Sequence, residues 1–206
     1  MKSFLAKAVT VGLGIMVLAG CYTPMRFDAE VEIDRAGYYS LKFDGYLAET
    51  NLYTKMQKGE ISSGSEEEQR RVTIIERDFT RDSNTKEFQY FRDGVFRVLW
   101  ERSGDMVEAK TMTFIRRNEL ILQLKYVDNS GYIVLEGRSL TKDNRQRLAE
   151  AGLNMTGEIR VKTDMPVKSH NATYEKKDPR DKRFTWLVWE VENVFSPRPR
   201  AIFIFD

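Results

Sequence analysis

The sequence holds a single cysteine and a single histidine among 206 residues, and each scarcity removes a class of chemistry. One cysteine cannot close an intrachain disulfide, so a disulfide-stapled scaffold is excluded. Zinc sites draw roughly three or four ligands from Cys, His and carboxylates. One of each of the first two leaves no such set, and no metal or other cofactor is expected. The five prolines and 13 glycines are scattered rather than gathered into a linker. There is no low-complexity tract, no repeat with a period of about 20–50 residues and no calcium loop. Gly12 and Gly14 sit in the N-terminal apolar run, not in a phosphate-binding loop. Charge of one sign is also missing. The 33 Lys and Arg face 31 Asp and Glu, for a formal +2. That balance excludes a polybasic nucleic-acid binder and an acidic disordered tail. The longest apolar run, Ala8 to Ala19, has 12 residues. A bilayer-crossing helix needs roughly 20, so a polytopic membrane protein is excluded.

What is present begins with an address. Lys2 and Lys7 precede the apolar run, which ends in Leu18-Ala19-Gly20-Cys21. Positive start, short apolar stretch and small residues are the parts of a secretory signal, and the tetrapeptide resembles the bacterial lipobox. Residues 1–20 are read as a lipoprotein signal peptide and Cys21 as the acceptor, because a diacylglyceryl group is attached through sulfur. A secretory peptide ending in Cys by chance is the weaker reading, since the chain's one Cys stands at the acceptor position. Acylation removes Cys21 as a nucleophile or ligand. Palmitate-type chains on one residue anchor a protein more firmly than a single myristoyl chain. Loss of Lys2 and Lys7 leaves a neutral mature chain. Tyr22 follows Cys21 in place of Asp, which by the sorting rule of enteric bacteria resembles an outer-membrane anchor facing the periplasm; a host with one membrane would instead display the protein on its surface. The membrane is therefore the first expected partner.

Residues 21–28 are read as a lipidated tether and 29–206 as one domain. Strand signals dominate. Ala29–Ile33, a turn at 34–37 and Tyr38–Leu47 form a hairpin pattern, and Leu47–Lys58 is ambiguous between strand and short helix. Ser65 caps a helix with acids in its first turn, where the helix dipole favours them; Val72, Ile75 and Phe79 then fall at helical spacing. From Lys86 the period becomes two. Phe88 and Tyr90 alternate, Arg92-Asp93-Gly94 turns, and Phe96, Val98 and Trp100 return. Residues 110–116, 119–127 and 132–138 continue the meander. Thr141 caps a second helix, Lys142–Ala151, with Leu148 and Ala151 inward and Gly152 as its stop. Strands at 156–163, 183–191 and 200–205 follow. The strand 183–191 is apolar on both faces, Trp186 and Val188 against Leu187, Trp189 and Val191, and requires cover on both. The expected architecture is α+β: a twisted, largely antiparallel sheet of about seven to nine strands with two or three helices packed on one face.

Few residues offer chemistry. His170 lies in a polar, turn-like stretch and reads as a hydrogen-bonded loop histidine rather than a triad member. Glu101, Glu108, Glu136 and Glu190 lie in or near strands, and carboxylate catalysis would need two of them facing across a cleft; outward-facing strand positions are by far the stronger reading. No catalytic residue is assigned, and the chain is expected not to be an enzyme. Basic clusters at 70–71, 116–117, 176–183 and 198–200 read as solvated loops or as a surface for anionic headgroups. The aromatics are more suggestive. Tyr39, Phe43, Trp100, Trp186 and Trp189 are the candidate ligand-binding set, lining an apolar cavity between sheet and helices; the competing reading is an ordinary core.

Several short stretches occur in a familiar order: Tyr39-Ser40-Leu41-Lys42-Phe43-Asp44-Gly45, Gly157-Glu158-Ile159-Arg160-Val161, Pro166-Val167, Asn171-Ala172, Phe184-Thr185-Trp186 and Arg200 to Phe205. Together with the lipobox they resemble the LppM-like domain family of bacterial lipoproteins. The resemblance implies an exported, membrane-tethered α+β domain that is non-enzymatic and binds a lipid or another envelope component. It carries over no catalytic residue. Members of that family often continue into a C-terminal transmembrane helix, whereas this sequence reads as closing on a strand, with the lipid as its anchor. Two expectations follow: an amphiphile-binding module, or an assembly protein docking an envelope protein through a sheet edge or the basic 176–200 segment.

Overall fold

The computed structural model describes residues 22–116, 119–128 and 130–205. The signal segment, Cys21 and the expected turn at 117–118 lie outside these residues. In chain order the elements are β1 (Tyr22–Ile33), β2 (Tyr38–Glu49), α1 (Thr50–Gln57), α2 (Glu66–Thr80), β3 (Thr85–Arg92), β4 (Val95–Asp105), α3 (Met106–Ala109), β5 (Thr111–Arg116), β6 (Glu119–Val127), β7 (Tyr132–Gly137), α4 (Lys142–Glu150), β8 (Thr156–Thr163), β9 (Val167–His170), β10 (Tyr174–Lys177), β11 (Thr185–Val191) and β12 (Arg200–Ile204).

The α+β class is as read, but the strands divide between two sheets. One has seven strands in the order β10-β11-β8-β1-β2-β4-β3, the other five in the order β5-β6-β7-β12-β9. Every described pairing is antiparallel except β1 with β8. Alternation decides which face of the larger sheet is buried. On β1, Ala29, Val31 and Ile33 point into the core, while Glu30 and Glu32 meet Arg160 and Lys162 of β8 on the other face.

The inner face of the larger sheet is covered by the smaller one. Phe43 of β2 stacks on Phe114 of β5 with ring centroids 4.5 Å apart, and Trp100 of β4 lies 5.0 Å from the same ring. This differs from the expected helical cover. For β11, Leu187 and Trp189 enter the inter-sheet core. Val188 sits opposite Arg160 in register, and Lys162 lies over the Phe184 and Trp186 rings. Long cationic side chains cover the second apolar face with their stems, so no helix is needed there.

Residues 22–28, read as a tether, are the first half of β1. The register with β2 shifts between Pro24 and Phe27, which breaks the period-two pattern and hides the strand. The ambiguous stretch after Leu47 becomes the end of β2 and then α1, capped by Glu49, whose carboxylate accepts the Leu52 N–H at 2.7 Å. Ser65 and Thr141 cap α2 and α4 as their sequence positions predict. From α2, Phe79 stacks on Phe88 of β3 at 3.9 Å and meets Tyr22 edge-on at 5.0 Å. The β3–β4 turn uses Asp93 and Gly94 at positive φ. A Cβ on Gly94 would stand 2.6 Å from the Tyr53 amide nitrogen, so glycine lets this turn close on α1.

Candidate functional site

Four of the five aromatics read as cavity-lining are core. Tyr39, Phe43, Trp100 and Trp189 are all buried in the inter-sheet cluster. The two indoles are satisfied within the fold: Trp100 Nε1 donates to Asp82 at 2.9 Å and Trp189 Nε1 to Asn171 at 2.8 Å. Trp186 lies on the opposite face, half-buried, with its Nε1 donating to Asp178 at 3.0 Å. None of the five lines either of the cavities described below. The reason is the second sheet: inward aromatics on the larger sheet face other rings rather than a space under helices.

A concavity that could take a ligand lies elsewhere. A groove of about 710 Å³ runs between α1 and α4, within the usual range of small-ligand sites, about 300–1,000 Å³. Tyr53, Leu140, Leu148 and Ala151 give it an apolar floor, and Thr23, Thr50, Thr54, Gln57 and Asn144 add hydroxyls and amides. Lys58, Arg138 and Arg147 stand around it against one acid, Glu150. Local sequence explains the walls. The only buried residue of α4 is Leu148, which packs with Leu153, Ala48, Val95 and Val194 in a second, smaller core. With one buried residue, α4 presents only a narrow apolar face to that core and leaves a groove between itself and α1.

The groove sits where β1 begins. Thr23 lines it, and Arg138 Nη1 donates to the Tyr22 carbonyl at 3.3 Å. A small crevice of about 60 Å³ shares Thr23, Arg138 and Leu140 with the groove and is lined from both sheets, by Phe27, Ile121, Ile159 and Val191 among others. The two concavities therefore adjoin near the start of β1. The sequence places Leu148 and Ala151 inward, but residues 23, 50–58 and 138–152 are brought together only by the fold.

The other candidates are dispersed. Glu101 pairs with Lys42 at 3.7 Å on the larger sheet, whereas Glu136 of the smaller sheet accepts from Gln123 at 3.0 Å. Glu190 is exposed on β11, and Glu108 lies in α3. None of the four lines the groove. His170 ends β9; its Nδ1 accepts the Ala172 N–H at 3.1 Å and its Nε2 lies 3.1 Å from Glu175. The basic clusters are partly tied down. Arg71 pairs with Glu67 at 2.7 Å and Arg183 with Asp181 at 2.7 Å. Asp178 accepts the Arg180 backbone N–H at 2.8 Å, and that bond leads the causes holding its carboxyl below the ordinary range. Among the described residues no group of His, Cys, Asp and Glu could hold a metal ion, and no helix is long and apolar enough to cross a membrane.

No family model and no curated protein matches the chain. Among solved structures it is similar to the NMR structure of the folded domain of LppM from Mycobacterium tuberculosis, with 12% sequence identity and a TM-score of 0.42 over 93% of this chain and 96% of that one.

Proposed function

We propose that this protein is a non-enzymatic envelope lipoprotein, anchored through acyl chains on Cys21, that holds a lipid or similar amphiphile in the α1–α4 groove. The observation that carries the reading is the character of that groove. It combines an apolar floor with cationic side chains, and Thr23, two residues from the expected anchor, is part of its lining. An apolar tail gains by leaving water at roughly 25 cal/mol per Å² of surface buried, and a polar or anionic head finds Lys58, Arg138 and Arg147 in the lining. The expected outer-membrane location, with the domain facing the periplasm, belongs to the same reading.

Growth of the producing bacterium on a photo-crosslinkable fatty acid tests it on the full chain. The account expects label, mapped by peptide mass, on residues 50–58 and 138–152. It expects Ala151→Trp, which fills the groove, to lower that labelling severalfold while leaving the label on Cys21 in place. Label scattered over the surface, or unchanged in Ala151→Trp, sinks the groove as the binding site.

A further inference from the structure

The anchor reading has a geometric consequence. Tyr22 is already in β1 and buried at 8% exposure, so only Cys21 separates the domain from its expected acyl chains. One extended residue spans at most about 3.6 Å. The end of the domain at which β1 starts is then held near the headgroups, and the side chains on that end decide whether it docks.

That end carries the features of an interfacial surface. Strand register brings it together: Tyr22 pairs with Glu49, and Ala48 pairs with both Thr23 and Val95, which puts the β3–β4 turn beside the start of β1. Phe91, next to that turn, is 48% exposed. It meets Tyr46 edge-on at 5.4 Å, Arg26 lies over the Tyr46 ring at 5.0 Å, and Arg92 lies over Phe91 at 5.1 Å. Neither Arg26 nor Arg92 has an acidic partner among the described residues, in contrast to Arg97, which pairs with Asp44 at 2.5 Å. Phe195 follows β11 at the same end and is 47% exposed; its neighbour Val194 packs with Ala48 and Val95. Exposed phenyl rings gain by leaving water, and hydrated arginines with no carboxylate partner are free to take an anionic one. At a membrane surface the rings enter the headgroup–acyl boundary and the guanidiniums take phosphate oxygens.

We propose that this end is a docking face for an anionic phospholipid bilayer, with Phe91 and Phe195 entering the interface and Arg26 and Arg92 binding lipid phosphates. The inference rests on the anchor at Cys21. It also turns the groove toward the membrane that would supply its ligand.

The test uses the full, processed chain carrying Phe91→Cys, Phe195→Cys or, as a control at the far end of β2, Tyr38→Cys. Each is labelled with an environment-sensitive dye and reconstituted in vesicles of phosphatidylglycerol and phosphatidylcholine in equal parts. An acylated Cys21 has no free thiol, so each chain takes one dye. Dyes at 91 and 195 are expected to shift to the blue and be quenched by spin-labelled lipid, while the dye at 38 reports water. Arg26→Glu together with Arg92→Glu should lower the quenching severalfold. Equal emission at all three positions overturns the proposal. So does quenching at 91 and 195 that requires native envelope membranes and is absent from protein-free vesicles, a result that marks a protein partner. Two dyes per chain mean an unmodified Cys21 and sink the anchor reading instead. The docking face is then decided by whether the unlabelled chain sediments with the same vesicles, and failure to sediment overturns it.

Discussion

Asn171 receives the Trp189 indole N–H at 2.8 Å on its Oδ1, and the same oxygen accepts the Arg200 backbone N–H at 2.7 Å. Its Nδ2 donates to the Arg198 carbonyl at 2.9 Å. One amide thus joins β11 of the larger sheet to the start of β12 in the smaller one. Asn171→Ala removes a part-buried acceptor of the indole N–H and two exposed bonds, a net loss of about 0.5–1.5 kcal/mol for a bond of this kind. Urea unfolding followed by tryptophan fluorescence should show a lower midpoint of that size. Asn171→Asp keeps the acceptor and should lose less. Equal losses in the two variants would mean that the donor, not the shared acceptor, ties the sheets.

Gly45 and Gly157 flank β1 on its two sides at the point where its register shifts. A Cβ on Gly45 would stand 2.4 Å from the Arg26 carbonyl oxygen, and one on Gly157 would stand 2.3 Å from that of Phe27. Both contacts are with backbone, which cannot swing aside. Either change to Ala should cost about 1–3 kcal/mol, in the range of overpacking in a core. Gly59 has open space around it, and Gly59→Ala should cost only the strain of its positive φ, about 1 kcal/mol. Thermal midpoints of the three variants check the order.

Burial, and next the hydrogen bond it donates to Glu68, push the Tyr90 phenol from its ordinary 10.0 up to about 12. A raised pKa means that the folded state holds this proton more tightly than the unfolded state. The contribution is complete below about pH 10 and is lost as pH rises from there to about 12. Stability measured across that window should fall in the wild type and fall less in Tyr90→Phe, which has no proton to lose there. Identical slopes would show that the phenol does not set the alkaline limit.

Phe43 separates a core role from a ligand role. It is 1% exposed and contacts both Phe27 and Phe114, with centroids at 5.6 and 4.5 Å. Phe43→Leu should lower stability by roughly 1–3 kcal/mol, as core truncations do, and leave crosslinking of the photo-active fatty acid to the groove unchanged. A stable variant that loses the crosslink would return Phe43 to the binding site.

Helix starts were legible because a cap is a local event. Ser65 and Thr141 satisfy backbone N–H groups within one turn, and no other part of the chain is needed. The hairpins around Asp93-Gly94 and the core face of β6 were legible for a similar reason, since alternation and turn residues lie within a few positions of one another. What faces a strand was not legible. Trp100, Trp189 and Phe43 announce an apolar environment, but whether rings from a second sheet or a void fills it depends on residues far away in sequence. The short strands β9 and β10 escaped notice because their residues are mostly exposed and show no apolar period. The groove combines both difficulties, with a weakly apolar helix and walls from three separated segments.

The central claim is that the domain holds an amphiphile in the groove beside its anchor, and native mass spectrometry measures this most directly. Residues 22–206, exported without the anchor and purified from the envelope without detergent, should carry a reproducible adduct of lipid mass. Ala151→Trp should reduce that adduct and Phe43→Leu should keep it. A bare protein mass for the wild-type chain, or an adduct equally abundant in Ala151→Trp, would contradict the account.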